Sequence, residues 1–260
     1  MRENLMKKAL RAGKVVIGGG ISQLKGCAIP QLYATAGFQF VWIDMQHSPY
    51  TIENINDLVV GARAAGIDNF VRVPSLDPPL ISRLLDAGAQ GVMIPLIKTP
   101  DEVFRVVNAV KYPREGKRSI ATKRIHTDFQ NVDAREMVKD SNEQTLIVIQ
   151  IETKEALENV REISKVPGVD ILWIGPSDLS ESLGYLGQKD HPEVISAIEK
   201  IIDATIEAKI TTGLTIPFDL KNAEKWVKKG VRAICYSNDI DLILGGASRG
   251  IEKIRALLKS

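Results

Sequence analysis

TLIVIQIE, residues 145–152, is the stretch on which the fold turns: an apolar, β-branched run whose last polar residues fall on one face only. Side chains alternate along a strand, so Leu146, Val148, Gln150 and Glu152 share one face and Ile147, Ile149 and Ile151 the other. The uniformly apolar face is expected against helices. Gln150 and Glu152 then point inward at the strand's C-terminal end, where a carboxylate is costly unless paired, hydrated or bound to a cation.

Working outward from this run, segments of the same character recur along the chain. They are VVIGG from Val15, FVWID from Phe40, FVRV from Phe70, GVMIP from Gly91, DILWIG from Asp170, TTGLTI from Thr211 and RAICYS from Arg232. With 145–152 they make eight candidate strands. The segments between them carry helix signals. In TPDEVFRVVNAV, Thr99 is placed to cap, Pro100 suits the first helical position and Glu102 completes a capping box, ahead of an apolar stripe of Val103, Phe104, Val106, Val107 and Val110. After Asp190, the residues Val194, Ile198, Ile201 and Ile202 fall on one helical face.

Parallel strands need helical crossovers, and eight of them close, so the expected fold is α/β, a single (β/α)8 TIM barrel spanning residues 1–260. A doubly wound open sheet is the alternative, but no GxGxxG opens the first βα turn. The triple glycine Gly18 to Gly20 has the wrong spacing and is expected to be a permissive bend leaving the first strand. Residues 112–144 form a longer insertion between the fourth helix and the fifth strand. YPREGKRS reads as a turn and NVDAREMVKD as a short extra helix, and a lid or a subunit contact both suit the segment.

Composition narrows the partners. The 260 residues carry 34 Lys and Arg against 32 Asp and Glu, a net charge of +2, which leaves little field for gathering nucleic acid. Hydrophobic content of 44% with 25% charged residues excludes a disordered chain. The N-terminal MRENLMKKALRAGK lacks the apolar core of a signal peptide, and no run approaches the about 20 apolar residues of a membrane span. Cys27 and Cys235 are far apart and form no CxxC pair, so neither a disulfide framework nor a thiolate zinc site is expected. The expected compartment is the reducing cytoplasm, with no membrane partner.

In a barrel the chemistry sits where strands end, and there the polar residues collect: Asp44, Gln46 and His47 after strand two, Arg72 in strand three, Gln150 and Glu152 in strand five, Ser177 and Asp178 after strand six. Asp178, in IGPSDLS, reads either as a helix cap or as a ligand. With Glu152 inward on the neighbouring strand, two carboxylates without sulfur or imidazole suit a hard divalent cation, Mg²⁺ or Mn²⁺. Arg72 is either an ion-pair partner for those carboxylates or a clamp for a carboxylate or developing enolate oxygen. Of the three histidines only His47 follows a strand near candidate ligands, where it is a structural residue or a general base. No lysine interrupts strand five or six, and Lys98 reads as solvated, so a Schiff base is not expected. A cation and an arginine holding an α-oxo acid while a histidine moves a proton amount to carbon–carbon bond chemistry next to a carbonyl. Spacing does not separate aldol cleavage from decarboxylation or tautomerisation. Loops after strands seven and eight, Thr215 to Phe218 and Tyr236 to Asn238, are candidates for the pocket's border.

The blocks AGFQFVWIDMQHSP, VRVPSLDPPLISRLLDAGAQGVMIP, VIQIET and IGPSDLSESLGYLGQKDHPEV resemble the metal-dependent (class II) pyruvate aldolases of the HpcH/HpaI family, over a span from about Gly37 to the C-terminus. The resemblance implies a TIM barrel of the phosphoenolpyruvate/pyruvate domain type and a lyase that reversibly cleaves a 4-hydroxy-2-oxo acid to pyruvate and an aldehyde. It implies that Glu152 and Asp178 bind the divalent metal, Mg²⁺, Mn²⁺ or Co²⁺, that Gln150 lines the site, and that backbone N–H groups at Ser177 and Asp178 receive the pyruvate carboxylate. Arg72 matches the arginine at the enolate oxygen, His47 the base, and Asp86, which otherwise reads as a helix-end residue, the aspartate that orients the histidine. Asp44 and Gln46 would stand behind these groups. A homo-oligomer is also implied, a hexamer built as a dimer of trimers whose subunits share pockets.

Three features depart from the family pattern. Asp44-Met45-Gln46-His47 stands where DxEH is common, replacing a carboxylate with an amide near the metal, which should weaken metal affinity or shift the base's pKa. Gly116-Lys117-Arg118-Ser119 replaces GxRG, and the first strand carries GGGIS without the usual tryptophan. The pyruvate half of the site is complete, while the aldehyde half is altered. Oxaloacetate decarboxylation, another enolate coupling or non-catalytic oxo-acid binding are the alternative functions.

Overall fold

A computed structural model describes residues 2–216 and 220–258. After a short helix α1 (Leu5–Arg11), strand β1 (Val16–Ile21) is followed by α2 (Ala28–Thr35), β2 (Phe40–Asp44), α3 (Ile52–Ala65), β3 (Asp68–Arg72), α4 (Pro78–Asp86), β4 (Gly91–Ile94) and α5 (Pro100–Val110). The insertion contributes α6 (Ala134–Gln144). Then come β5 (Leu146–Ile151), α7 (Lys154–Glu158), α8 (Val160–Ser164), β6 (Ile171–Ile174), α9 (Pro176–Ser182), α10 (Pro192–Ala208), β7 (Thr211–Thr215), α11 (Leu220–Lys229), β8 (Val231–Asn238) and α12 (Asp239–Leu257). The strands pair in parallel in chain order, and β8 returns to β1, so the sheet closes as an eight-stranded barrel.

Local chemistry sets the helix starts. Thr99 accepts the Glu102 N–H and the Glu102 carboxylate reaches back to the Thr99 N–H, the reciprocal cap its spacing predicts. Asp77 caps α4 by accepting the Leu80 N–H and Thr153 caps α7 by accepting the Ala156 N–H, each without a return bond. The alternation in β5 also sorts as expected. Leu146 and Val148 join Phe40, Phe70, Met93 and Trp173 inside the barrel, while Ile147, Ile149 and Ile151 pack in the layer beneath the helices.

The glycines of β1 correct the sequence reading. Gly18, Gly19 and Gly20 are not a bend but lie within the strand, which runs on to Ile21. A Cβ on Gly18 would meet the Phe40 ring at 2.5 Å, and one on Gly20 would collide with the Trp42 indole. The strand is bare because aromatic rings fill the barrel beside it: Trp42 and Trp173 stack at 5.8 Å and Phe40 and Phe70 at 5.6 Å. The absent tryptophan of the first strand therefore coincides with a barrel whose rings come from β2, β3 and β6.

The insertion lies at the end of the barrel where the strands begin. Asn142 of α6 accepts the Tyr112 N–H and donates to the Tyr112 carbonyl, and Lys111, itself 3% exposed, donates to the carbonyls of Asn142 and Thr145. The segment does not cover the mouth at the strands' C-terminal ends, so the lid reading fails within this chain. Tyr236 to Asn238 likewise belong to β8 and are not a loop. Pro217 and Phe218 lie outside the described residues. Both cysteines are free. No helix among the described residues is long and apolar enough to cross a membrane.

The last helix stands apart. Beyond Asp239 no residue of α12 is buried, and Ile243, Leu244, Ile251 and Ile254, spaced as one helical stripe, are each about half exposed or more. On the barrel wall, Ile17 on the outer face of β1 is 46% exposed. α12 is tied to its own barrel by Leu242, partly buried against the core, and by Asp239. Its carboxylate accepts the N–H groups of Ser22, Gln23 and Leu24 at 2.7–3.0 Å and the Ser22 hydroxyl at 2.7 Å. Burial would raise this carboxyl, but the Leu24, Gln23 and Ser22 donors outweigh it and hold it below the usual carboxylate range. With the folded pKa below the unfolded value of about 3.9, its contribution is complete above that pH and lost as pH falls through the folded value. Asp239→Asn should cost about 2 kcal/mol in urea unfolding at neutral pH, and the gap to the parent should close in strong acid.

Candidate active site

The mouth of the barrel gathers the predicted residues by register. Asp44, the last residue of β2, sits opposite Arg72, the last of β3. The guanidinium donates through Nε and Nη2 to the two oxygens of Asp44 at 2.9 and 2.8 Å, and lies 4.6 Å over the Trp42 ring. Arg72 is thus an ion-pair partner, but of Asp44 and not of Glu152 or Asp178. Both side chains are about nine-tenths buried. Arg72→Ala would strand the Asp44 carboxylate, and a loss of about 3–5 kcal/mol in unfolding free energy is expected by denaturant titration.

Glu152 follows β5, with its residue 1% exposed. One oxygen accepts the Leu96 N–H at 2.8 Å and the other accepts the Gln150 amide N–H. Leu96 presents that N–H from a left-handed conformation, φ 58°, in the turn after β4. Burial pushes the Glu152 carboxyl up to about 6; the Leu96 N–H opposes the shift, and the neighbouring Asp178 carboxylate adds to the rise. The Gln150 Oε1 is buried without a partner. Gly175 makes the packing possible, because a Cβ there would lie 2.8 Å from both Gln150 Nε2 and Glu152 Oε2.

Ser177 and Asp178 are exposed in the first turn of α9, whose opening N–H groups have no intrahelical acceptor. Asp178 belongs to a helix's first turn, as its cap reading suggested, yet it caps nothing: Gly175 holds the cap position without a side-chain bond. A cavity of about 180 Å³ joins Arg72, Gln150, Ser177 and Asp178 and adds Lys189 and Thr215. Lys189, from the loop between α9 and α10, was missed by the sequence reading because nothing in its local pattern separates it from a solvated surface lysine.

His47 is exposed in the turn after β2, and its N–H and that of Gln46 face Asp44 Oδ1 at 3.5 and 3.0 Å. Gln46 Oε1 is buried without a partner. Asp86 is not brought to His47 within the chain. It ends α4, which runs back toward the start of β4, and its carboxylate pairs with Arg118 at 2.5 Å. The helix direction that made it a helix-end residue also carries it to the opposite end of the barrel.

Among the described residues no three His, Cys, Asp or Glu side chains are grouped as metal ligands. The donor set is two carboxylates in contact and an orphaned amide oxygen. Those oxygens fit a hard divalent cation, which would relieve the repulsion between Glu152 and Asp178 and give Gln150 Oε1 a partner.

The sequence profile of the HpcH/HpaI aldolase/citrate lyase family matches residues 27–244. The chain belongs to that family. A hydroxypyruvate/pyruvate aldolase of Paraburkholderia phytofirmans is 32% identical over 97% of this chain and 98% of its own length. A 4-hydroxy-2-oxo-heptane-1,7-dioate aldolase of Escherichia coli is 32% identical over 94% of this chain and 92% of its own. The crystal structure of an HpcH/HpaI aldolase from Desulfitobacterium hafniense superposes with a TM-score of 0.92, at 34% identity and 96% coverage of both chains. The protein is accordingly an enzyme of an aldolase family on a TIM barrel.

Proposed function

We propose that the protein reversibly cleaves a 4-hydroxy-2-oxo acid to pyruvate and an aldehyde. The observation that carries this reading is the pairing of buried Glu152 with Asp178 and Gln150 at the barrel mouth, beside an arginine held flat by Asp44. Glu152, Asp178 and the Gln150 amide oxygen would hold Mg²⁺, Mn²⁺ or Co²⁺. When bound, such an ion supplies positive charge to the oxo and carboxylate oxygens of the substrate. The Ser177 and Asp178 N–H groups receive the carboxylate. Arg72, with Nε and Nη2 committed to Asp44, offers Nη1 to the oxygen that gathers negative charge. His47 takes the C4 hydroxyl proton as the C3–C4 bond breaks, the bond's electrons stay on the pyruvate half as its enolate, and the aldehyde leaves; a proton returned to C3 completes pyruvate.

Assembly belongs to the same proposal. Asp86 would meet a histidine only from a neighbouring copy, and the bare stripe of α12 together with the uncovered Ile17 on the wall of β1 supports association of like chains, as the hexamer of the resemblance requires.

One observation favours a second reading. His47 is exposed, and its ring has no hydrogen-bond partner among the described residues. Decarboxylation of oxaloacetate would use the same oxo-acid pocket without a base at that position. The test is pyruvate methyl exchange in D2O, followed by NMR with Mg²⁺ or Mn²⁺ and again with excess EDTA, then product analysis on hydroxy-oxo acids and oxaloacetate. Metal-dependent exchange with cleavage of a hydroxy-oxo acid is expected. Rapid loss of oxaloacetate with no such cleavage would overturn the aldolase reading, and bound pyruvate without exchange would leave an oxo-acid-binding protein.

A further inference from the structure

The end of the barrel where the strands begin carries a charge pattern that the chemistry of the mouth does not use. A cavity of about 580 Å³ opens there beside α1, bordered by the starts of β5, β7 and β8 at Leu146, Thr211 and Arg232. That volume lies within the range of small-molecule pockets. Neither the Asp86–Arg118 pair nor α12 borders it.

Four cations line it against one carboxylate: Lys7, Arg11, Lys209 and Arg232 against Asp170. Asp170 is already satisfied, because its oxygens accept the buried Lys7 ammonium at 2.9 Å and the Ile147 N–H at 2.9 Å. Lys7 is neutralised by the same contact. Arg11 leans on Glu143 at 3.6 Å, with both side chains more than half exposed. Lys209 and Arg232 have no ion-pair partner among the described residues. Arg232 is nonetheless held in place, its Nη1 donating to the Val227 and Val231 carbonyls at 2.9 Å, which leaves the Nη2 arm of the fork for another acceptor.

The backbone gives an independent sign that the Lys209 side chain serves a purpose. Among the described residues, seven helix-to-strand turns pass through a positive φ. Gly13, Gly37, Gly66, Gly88, Gly168 and Gly230 occupy six of them, and Lys209, at φ 57°, occupies the seventh. A side chain is disfavoured in that conformation, so this lysine stands against a preference that its six counterparts follow. Between the cations the wall is apolar, with Leu10, Val169, Ile206 and Ile210, and Ile206 is 56% exposed. A fixed guanidinium and an ammonium without counter-ions, with a second guanidinium beside them and an apolar wall between, are complementary to a doubly charged oxyanion on an apolar body.

The geometry points to a binding site at the foot of the barrel for an organic phosphate, its dianion between Arg11, Lys209 and Arg232 and its apolar body on Ile206 and Ile210. Phenyl phosphate is the probe. It should be titrated calorimetrically into the full chain at fixed ionic strength, with EDTA present so that no cation at the mouth draws the phosphate. Inorganic phosphate and benzenesulfonate are the comparison ligands, and Lys209→Asn, Lys209→Gly and Lys189→Ala the variants. Asparagine and glycine both suit a left-handed turn, so they remove the charge without straining the end of α10. Phenyl phosphate is expected to bind most tightly of the three, to weaken by about tenfold or more in both Lys209 variants, and to be unaffected by Lys189→Ala at the mouth. The ligand-free Tm of both Lys209 variants should stay within about two degrees of the parent. No binding of phenyl phosphate would overturn the site. Parental affinity in both Lys209 variants, or a loss in Lys189→Ala, would overturn its location. A larger fall in ligand-free Tm in both Lys209 variants would make the lysine a structural residue and overturn its assignment. Benzenesulfonate binding as tightly would overturn the preference for a dianion, and inorganic phosphate binding as tightly would overturn the apolar body.

Discussion

Replacing Glu152 with alanine should remove both divalent-cation binding and turnover while leaving the barrel folded. Glu152 is the buried member of the carboxylate pair, and its oxygens accept the Leu96 N–H and the Gln150 amide N–H. Taking away the carboxylate leaves Asp178 in the exposed first turn of α9 as the one remaining carboxylate of the set. The loss of a charge placed at the reacting centre is expected to lower kcat/KM by about a thousandfold or more. Manganese binding, read by electron paramagnetic resonance, should fall in parallel. Glu152→Gln separates charge from shape: it keeps the acceptor for Leu96 but loses the anion, and should behave like alanine toward Mn²⁺. Full metal-dependent activity in either variant would refute the metal assignment.

A single methyl group at Gly175 is expected to do nearly as much harm. The added Cβ would stand 2.8 Å from Gln150 Nε2 and Glu152 Oε2 and 2.9 Å from Glu152 Cβ. The amide and carboxylate ends can swing aside, but the Glu152 Cβ is fixed to β5, so relief comes from moving the carboxylate itself. Misplacement on that scale costs about a hundredfold in rate. Gly175→Ala should therefore show a hundredfold lower kcat, with the far-ultraviolet spectrum of the parent and a Tm lower by only a few degrees. A variant with parental kcat would show that the carboxylate's position is not critical.

The sequence exposes some of this site and conceals the rest for physical reasons. All eight strands are legible because each is a short apolar run bounded by helix signals, and β5 reveals its own orientation through alternation. Gln150 and Glu152 could be placed for the same reason. Arg72 could be assigned to the mouth, but its partner could not, because pairing with Asp44 depends on the β2–β3 register. The Leu96 N–H is a backbone donor created by a left-handed turn, and no side chain announces it. Gly18 to Gly20 misled because glycine signals freedom of the chain as readily as lack of room, and here the rings of Phe40 and Trp42 make it the second. Asp86 shows the limit of carrying a role across from a family: a motif position fixes the residue, while its neighbour depends on which chain end, or which copy, comes close.

The uncovered α12 has a consequence for how this enzyme is kept. On the proposed association of like chains, the half-exposed stripe of α12 completes its burial only against a neighbouring copy, so part of this helix's folding free energy would follow mass action. Melting temperature should climb with protein concentration, and dilution should loosen this helix before the barrel, making the storage concentration itself a stabilising condition.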